Sequence, residues 1–217
     1  MKSKIMYRII ALILVVCILV MSLAGCSSAS ASANRTSFHI AFSALYMDAT
    51  AVSEFSEVLA SEMPELTIDG NAPTLTPIFA GMVENDFEAG IFHDPMMALS
   101  IMKIPMMVAA GELDVVVSTL DNAAREARSD IFLPLEEVLT AEELAQFSDR
   151  LLAFEHVDTD GYNTWPTGEM TPVCGINITG NEYMRQIFGN QEIGVFIVAN
   201  TGNIELARSV MLSLAEL

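Results

Sequence analysis

Basic residues are scarce in this chain. Its 217 residues include ten Lys and Arg against 28 Asp and Glu, a formal net charge of −18 at pH 7. Three of the ten, Lys2, Lys4 and Arg8, fall in an N-terminal segment expected to be removed, which leaves seven against 28 and a net charge near −21. A surface this acidic repels phosphate backbones and anionic headgroups, so no nucleic acid partner is expected. Cysteine is rarer still: Cys17 lies in the N-terminal segment, Cys26 at its end, and Cys174 stands alone. One remaining thiol builds neither a disulfide framework nor a thiolate metal cluster. Cys174, flanked by Val173 and Gly175, reads as a small buried residue.

Sites of chemistry are equally thin. His39, His93 and His156 are scattered, without the spacing of a zinc motif. Asp158-Thr-Asp160-Gly161 suggests a calcium loop, but with Gly161 in sixth place the first position is His156 and the twelfth Thr167, and neither is acidic. There is no G-x-S-x-G elbow, no S-x-x-K and no Gly-rich phosphate loop. No enzyme activity, metal or cofactor is therefore expected. Met96, Met97, Met102, Met106 and Met107 offer soft thioethers. At helical spacing they spread over more than one face, and core packing is the expectation for them.

What the chain does have begins at its N-terminus. Lys2, Lys4 and Arg8 precede an apolar run from Ile9 to Met21, then Leu23-Ala24-Gly25-Cys26 and a Ser/Ala tract. A basic start, a short apolar stretch and a small-residue cleavage site make an export signal, and the run is too short for a comfortable membrane span. LAGC matches the bacterial lipobox, and that resemblance implies a diacylglyceryl group on Cys26, which anchors the chain to the outer side of the cell membrane. Residues 1–25 are thus a signal peptide and 26–36 a lipidated cysteine with a flexible spacer. The 192 residues left after the signal suit one compact domain, placed at 37–217.

Within that domain apolar runs and helical patterns alternate. Ser37–Ser43, Leu66–Ile68, Thr74–Phe79, Asp114–Val117, Gly175–Ile178 and Ile193–Ala199 read as strands. Helices are expected over Asp48–Met63, Pro95–Ala110 with a break at Pro105, Asp121–Arg128, Thr140–Leu151, Glu182–Phe188 and Asn203–Leu217. Asp158–Pro172 reads as turns. The alternation predicts an α/β layered fold with a mainly parallel sheet. In such sheets ligands bind beyond the carboxyl ends of the strands, beside helix N-termini. Ser43, Ser118, Thr119, Asp121, Asn122, Asn200 and Thr201 follow three predicted strands and are the candidate ligand contacts, with Tyr46 and Trp165 as stacking surfaces. Helix capping is the competing reading for the Ser, Thr and Asn residues.

Ala109-Ala-Gly-Glu-Leu-Asp-Val-Val-Val117 followed by Ile131-Phe-Leu-Pro-Leu-Glu-Glu-Val-Leu139 resembles the family 1 extracellular solute-binding lipoproteins of bacterial ABC importers. Asp160-Gly161 with Tyr162 and Pro166, Gly175-Ile-Asn177, and the segment from Ile197 to Leu214 are similar to later parts of that family's pattern, although the Lys of its Asp-Gly-Lys turn is missing. The resemblance implies a periplasmic-binding-protein-like fold, a small polar solute (a carbohydrate among the possibilities) as ligand, and an ABC permease as partner. Members usually carry two lobes. This chain is short by about one, and the shortfall is placed between Phe154 and Gly175, so the second lobe is expected to be reduced or missing. The alternative is an accessory or structural surface lipoprotein that has lost solute binding and docks on a membrane protein.

Overall fold

The computed structural model describes residues 37–80, 95–159 and 164–217. Strand β1 (His39–Ala44) leads through helix α1 (Ala49–Glu62) to β2 (Thr74–Phe79), and helix α2 (Pro95–Ala109) precedes β3 (Val115–Thr119). Helix α3 (Leu120–Ala127) follows without a loop, and then come α4 (Ala141–Gln146) and the short β4 (Leu151–Leu152). A hairpin, β5 (Glu155–Thr159) and β6 (Thr164–Met170), precedes β7 (Gly175–Asn177), α5 (Glu182–Phe188), β8 (Ile193–Ile197) and α6 (Ile204–Glu216). Six strands form one sheet in the order β2-β1-β3-β8-β7-β4, and β5 and β6 form a sheet of their own.

The sheet is mixed rather than mainly parallel. β1 runs parallel to β2 and β3, but β8 is antiparallel to β3, β7 to β8, and β4 to β7. Its side chains alternate between two apolar layers, as the period of a strand requires. Ile40, Phe42, Val115, Val117, Val195 and Ile197 face a layer closed by α1, α5 and α6 through Phe55, Leu59, Ile187, Phe188, Val210 and Leu214. Ala41, Val116, Phe196 and Val198 face the other, closed by Ile104 of α2, Ala123 and Ala127 of α3, and Phe132. Phe196 stacks on Phe132 with ring centroids 4.5 Å apart and lies over two glycines. A Cβ at Gly175 or Gly194 would come within 2.2 Å or 2.7 Å of the Phe196 ring, so the strand pair needs glycine at both positions.

Local signals explain most boundaries. Asp48 caps α1 by accepting from the N–H groups of Thr50 and Ala51, and Thr140 and Glu143 form the reciprocal capping box of α4. Several expectations change. α2 runs unbroken through Pro105. Leu66 ends a 3₁₀ turn, and Ile68 makes only an isolated bridge to Asn71. The helix begun at Thr140 stops at Gln146, and Leu151 instead pairs with Ile176 at the sheet edge. The turn-rich stretch contains the β5–β6 hairpin, in which Asp158 pairs with Trp165. The methionine-rich helix is not ordinary core either: Ile104 is buried and Met107 packs partly against the second layer, whereas Met102 and Met106 are exposed. Among the described residues, no helix is long and apolar enough to cross a membrane.

Candidate functional site

Because β1 and β3 are parallel, their carboxyl ends meet at one edge of the sheet, with Ser43 opposite Ser118. Antiparallel β8 brings its amino end to the same edge, so that Thr119 lies opposite Ile193 and the Leu120 N–H donates to the Glu192 carbonyl at 3.1 Å. Together these ends wall a cleft of about 310 Å³ lined by Leu45, Tyr46, Thr119, Leu120, Asp121, Asn122, Gln191 and Glu192. A shallower hollow continues past Tyr46 toward Asp48, Phe79 and Phe188. This volume falls at the low end of the range for small-molecule sites.

The two serines stand behind the cleft rather than in it. Both are fully buried, and alternation turns them toward the layer that carries α3. Asn122 is also buried, and its Nδ2 donates to Ser43 Oγ at 3.2 Å and to the Ala80 carbonyl at 2.6 Å. Its Oδ1 accepts from Arg125 at 3.4 Å. Asn122 therefore ties α3 to the ends of β1 and β2, a positioning task. Thr119 occupies the N-cap of α3 without a side-chain cap bond, and Asp121 sits in the first turn of that helix. Tyr46 projects into solvent, 72% exposed.

Gln191 holds the opposite wall. Its Nε2 donates to the Tyr46 carbonyl at 2.8 Å and to the Phe188 carbonyl at 2.7 Å. Reversing the amide would aim its oxygen at two carbonyl oxygens, so the orientation is fixed and Oε1 remains an acceptor. Sequence reasoning missed Gln191 and Glu192 because they precede a strand. In a parallel sheet that position lies at the far edge; only the reversed direction of β8 brings them here.

The same reversal removes two candidates. Asn200 and Thr201 follow β8 and therefore emerge at the opposite edge, beside the start of β3, where Val115 pairs with Ile197. There Thr201 Oγ1 donates to Asp114 Oδ1 at 2.6 Å, and Asn200 Nδ2 to the Val108 carbonyl at 2.5 Å. Asp114 is fully buried. It also accepts from the His39 N–H at 2.9 Å and from Asn203 Nδ2 at 3.1 Å, fastening β1, β3 and the entry to α6. Trp165 is likewise removed from the cleft; it sits on exposed β6, in the separate hairpin. Of the nine proposed contacts, Tyr46, Thr119, Asp121 and Asn122 line the cleft, and Ser43 and Ser118 support it. Cys26 and His93 lie outside the described residues.

Other features are already engaged. A larger hollow at the end of α6 contains Arg150 and Asn181, whose side chains donate to the carbonyls of Ala215 and Leu214. Burial pushes the Cys174 thiol up to about 11, so it stays protonated and weakly reactive at neutral pH. Among the described residues, no group of three His, Cys, Asp or Glu is placed to hold a metal ion. No family model, no curated protein and no solved structure matches this chain.

Proposed function

We propose that the chain is a solute-binding protein of the periplasmic-binding type, held outside the cell membrane by lipid on Cys26, which presents a small polar solute to an ABC-type permease. Its work is binding rather than catalysis. The observation that carries this reading is the cleft at the joined ends of β1, β3 and β8, walled by Tyr46, Asp121 and Gln191 on a buried polar support. The lipobox and the Ala109–Leu139 pattern support the same reading from the sequence. A thermal-shift screen of the full chain against sugars, polyols, amino acids and amines tests it. A bound solute raises stability by about 2.7 kcal/mol at a hundred times its Kd. The rise should be lost in Tyr46→Ala, whose exposed side chain contributes little to the unliganded fold. A flat screen, or a shift that survives this substitution, overturns the reading. Anchoring is tested by intact mass: the wild type gains the acyl mass and Cys26→Ser does not.

A second reading, an accessory lipoprotein docking on a membrane protein, rests on a different observation. Leu99, Met102 and Met106 of α2 follow one another at helical spacing and are each more than half exposed. An apolar stripe of that kind marks interaction surfaces. A flat solute screen would favour this reading.

A further inference from the structure

Resting on the solute-binding reading above, we infer that the cleft takes a small organic cation, an ammonium or guanidinium carried on an apolar or aromatic body. The two amide side chains at the cleft have spent their donors elsewhere. Gln191, which lines the cleft, uses both amide N–H groups on the Tyr46 and Phe188 carbonyls, which leaves Oε1 as an acceptor. Asn122 uses its own on Ser43 and Ala80, pointing away from the cleft. Asp121 and Glu192 are exposed at the cleft wall as carboxylates, which accept only. Among the described residues, no Lys or Arg lines the cleft. The amides and carboxylates of the lining thus present acceptors, the hydroxyls of Tyr46 and Thr119 serve as either donor or acceptor, and the complement is a ligand rich in N–H donors.

Charge points the same way. The amino end of α3 would ordinarily favour an anion, but its own Asp121 stands in the first turn and meets that dipole internally. Glu192 adds a second negative charge to the cleft, and Asp48 a third at the hollow beyond Tyr46. An anionic solute meets repulsion here; a cation gains attraction to both carboxylates. The remaining wall suits the rest of such a ligand. Leu45 and Leu120 are apolar, and the exposed Tyr46 ring supplies a π surface on which a cation or an aromatic ring can stack. The size of the cleft limits the ligand to a small amine rather than an oligomer.

The test is an NMR titration of the full chain with three probes that share a body and differ in the head: 2-phenylethylammonium, 2-phenylethanol and phenylacetate. The amide signals of Thr119, Asn122 and Gln191 report on the cleft. The ammonium should bind at least tenfold more tightly than the alcohol. The combined Asp121→Asn, Glu192→Gln variant should bring the two within about twofold. Both side chains are exposed, and an unchanged melting temperature confirms that the variant is folded. If the alcohol or the carboxylate binds as tightly as the ammonium, or if the neutralised variant keeps the preference, the cation assignment falls while the cleft keeps its binding role. If neither these probes nor the sugars, polyols and amino acids of the wider screen move the cleft amides, both readings fall together.

Discussion

Glu126 should make the protein less stable as the pH rises toward neutrality. Its side chain on α3 is 2% exposed, Oε1 lies 3.4 Å from Arg125 Nη2, and Oε2 has no hydrogen-bond partner. Arg125 is half-turned to solvent and shares its guanidinium with Asn122, so it offsets only part of the cost of burying a carboxylate. Burial therefore pushes Glu126 up from 4.5 to about 7. The folded state holds the proton after the unfolded chain has released it. Stability from this group is fully present below about pH 4.5 and is lost as the pH climbs through about 7. Each tenfold change in proton affinity is worth about 1.4 kcal/mol, so the loss is on the order of 3 kcal/mol. Glu126→Gln does not titrate. Its stability relative to the wild type should improve by about that amount between pH 4.5 and pH 8, or roughly 10 °C in Tm for a domain of this size. Urea denaturation of both proteins at the two pH values measures the difference, and the other carboxylates, common to both, cancel from it. Equal pH slopes for the two proteins would refute the reasoning.

Asp114→Ala removes the acceptor shared by the His39 N–H, Thr201 and Asn203. It should cost about 3 to 5 kcal/mol by denaturant unfolding, because buried donors lose a charged partner; a loss below about 1 kcal/mol would show that water or neighbours replace it. Gly194→Ala puts a methyl against Phe196 and Leu152 and should cost about 1 to 3 kcal/mol, partly recovered by Phe196→Leu. The same denaturant experiment reads both, and an absence of recovery would mean that Leu152, not the ring, resists the change.

The local elements were largely legible in the sequence. The helix starts at Asp48 and Thr140 and the apolar runs of β1, β3 and β8 each act over a few residues, so neighbours in the chain suffice to specify them. Elements that depend on distant partners were not. Leu151 leaves a helical pattern to pair with Ile176, and the hairpin of Trp165 forms across a turn-rich stretch. Met102 and Met106 satisfy a core pattern yet face solvent, since nothing in the helix itself says which of its apolar faces the sheet will cover.

The candidate site divides along the same line. Sequence alone determined the acidity that turns anions away, the polar ends of β1 and β3, and the residues Tyr46, Thr119, Asp121 and Asn122 that reach the cleft. Tertiary structure decided the direction of β8. A strand's own residues are compatible with either sense, because both pairings bury the same alternating side chains and only the partner's hydrogen bonds distinguish them. Once β8 ran antiparallel to β3, Asn200 and Thr201 went to Asp114 at the far edge, and Gln191 and Glu192 took their place at the cleft.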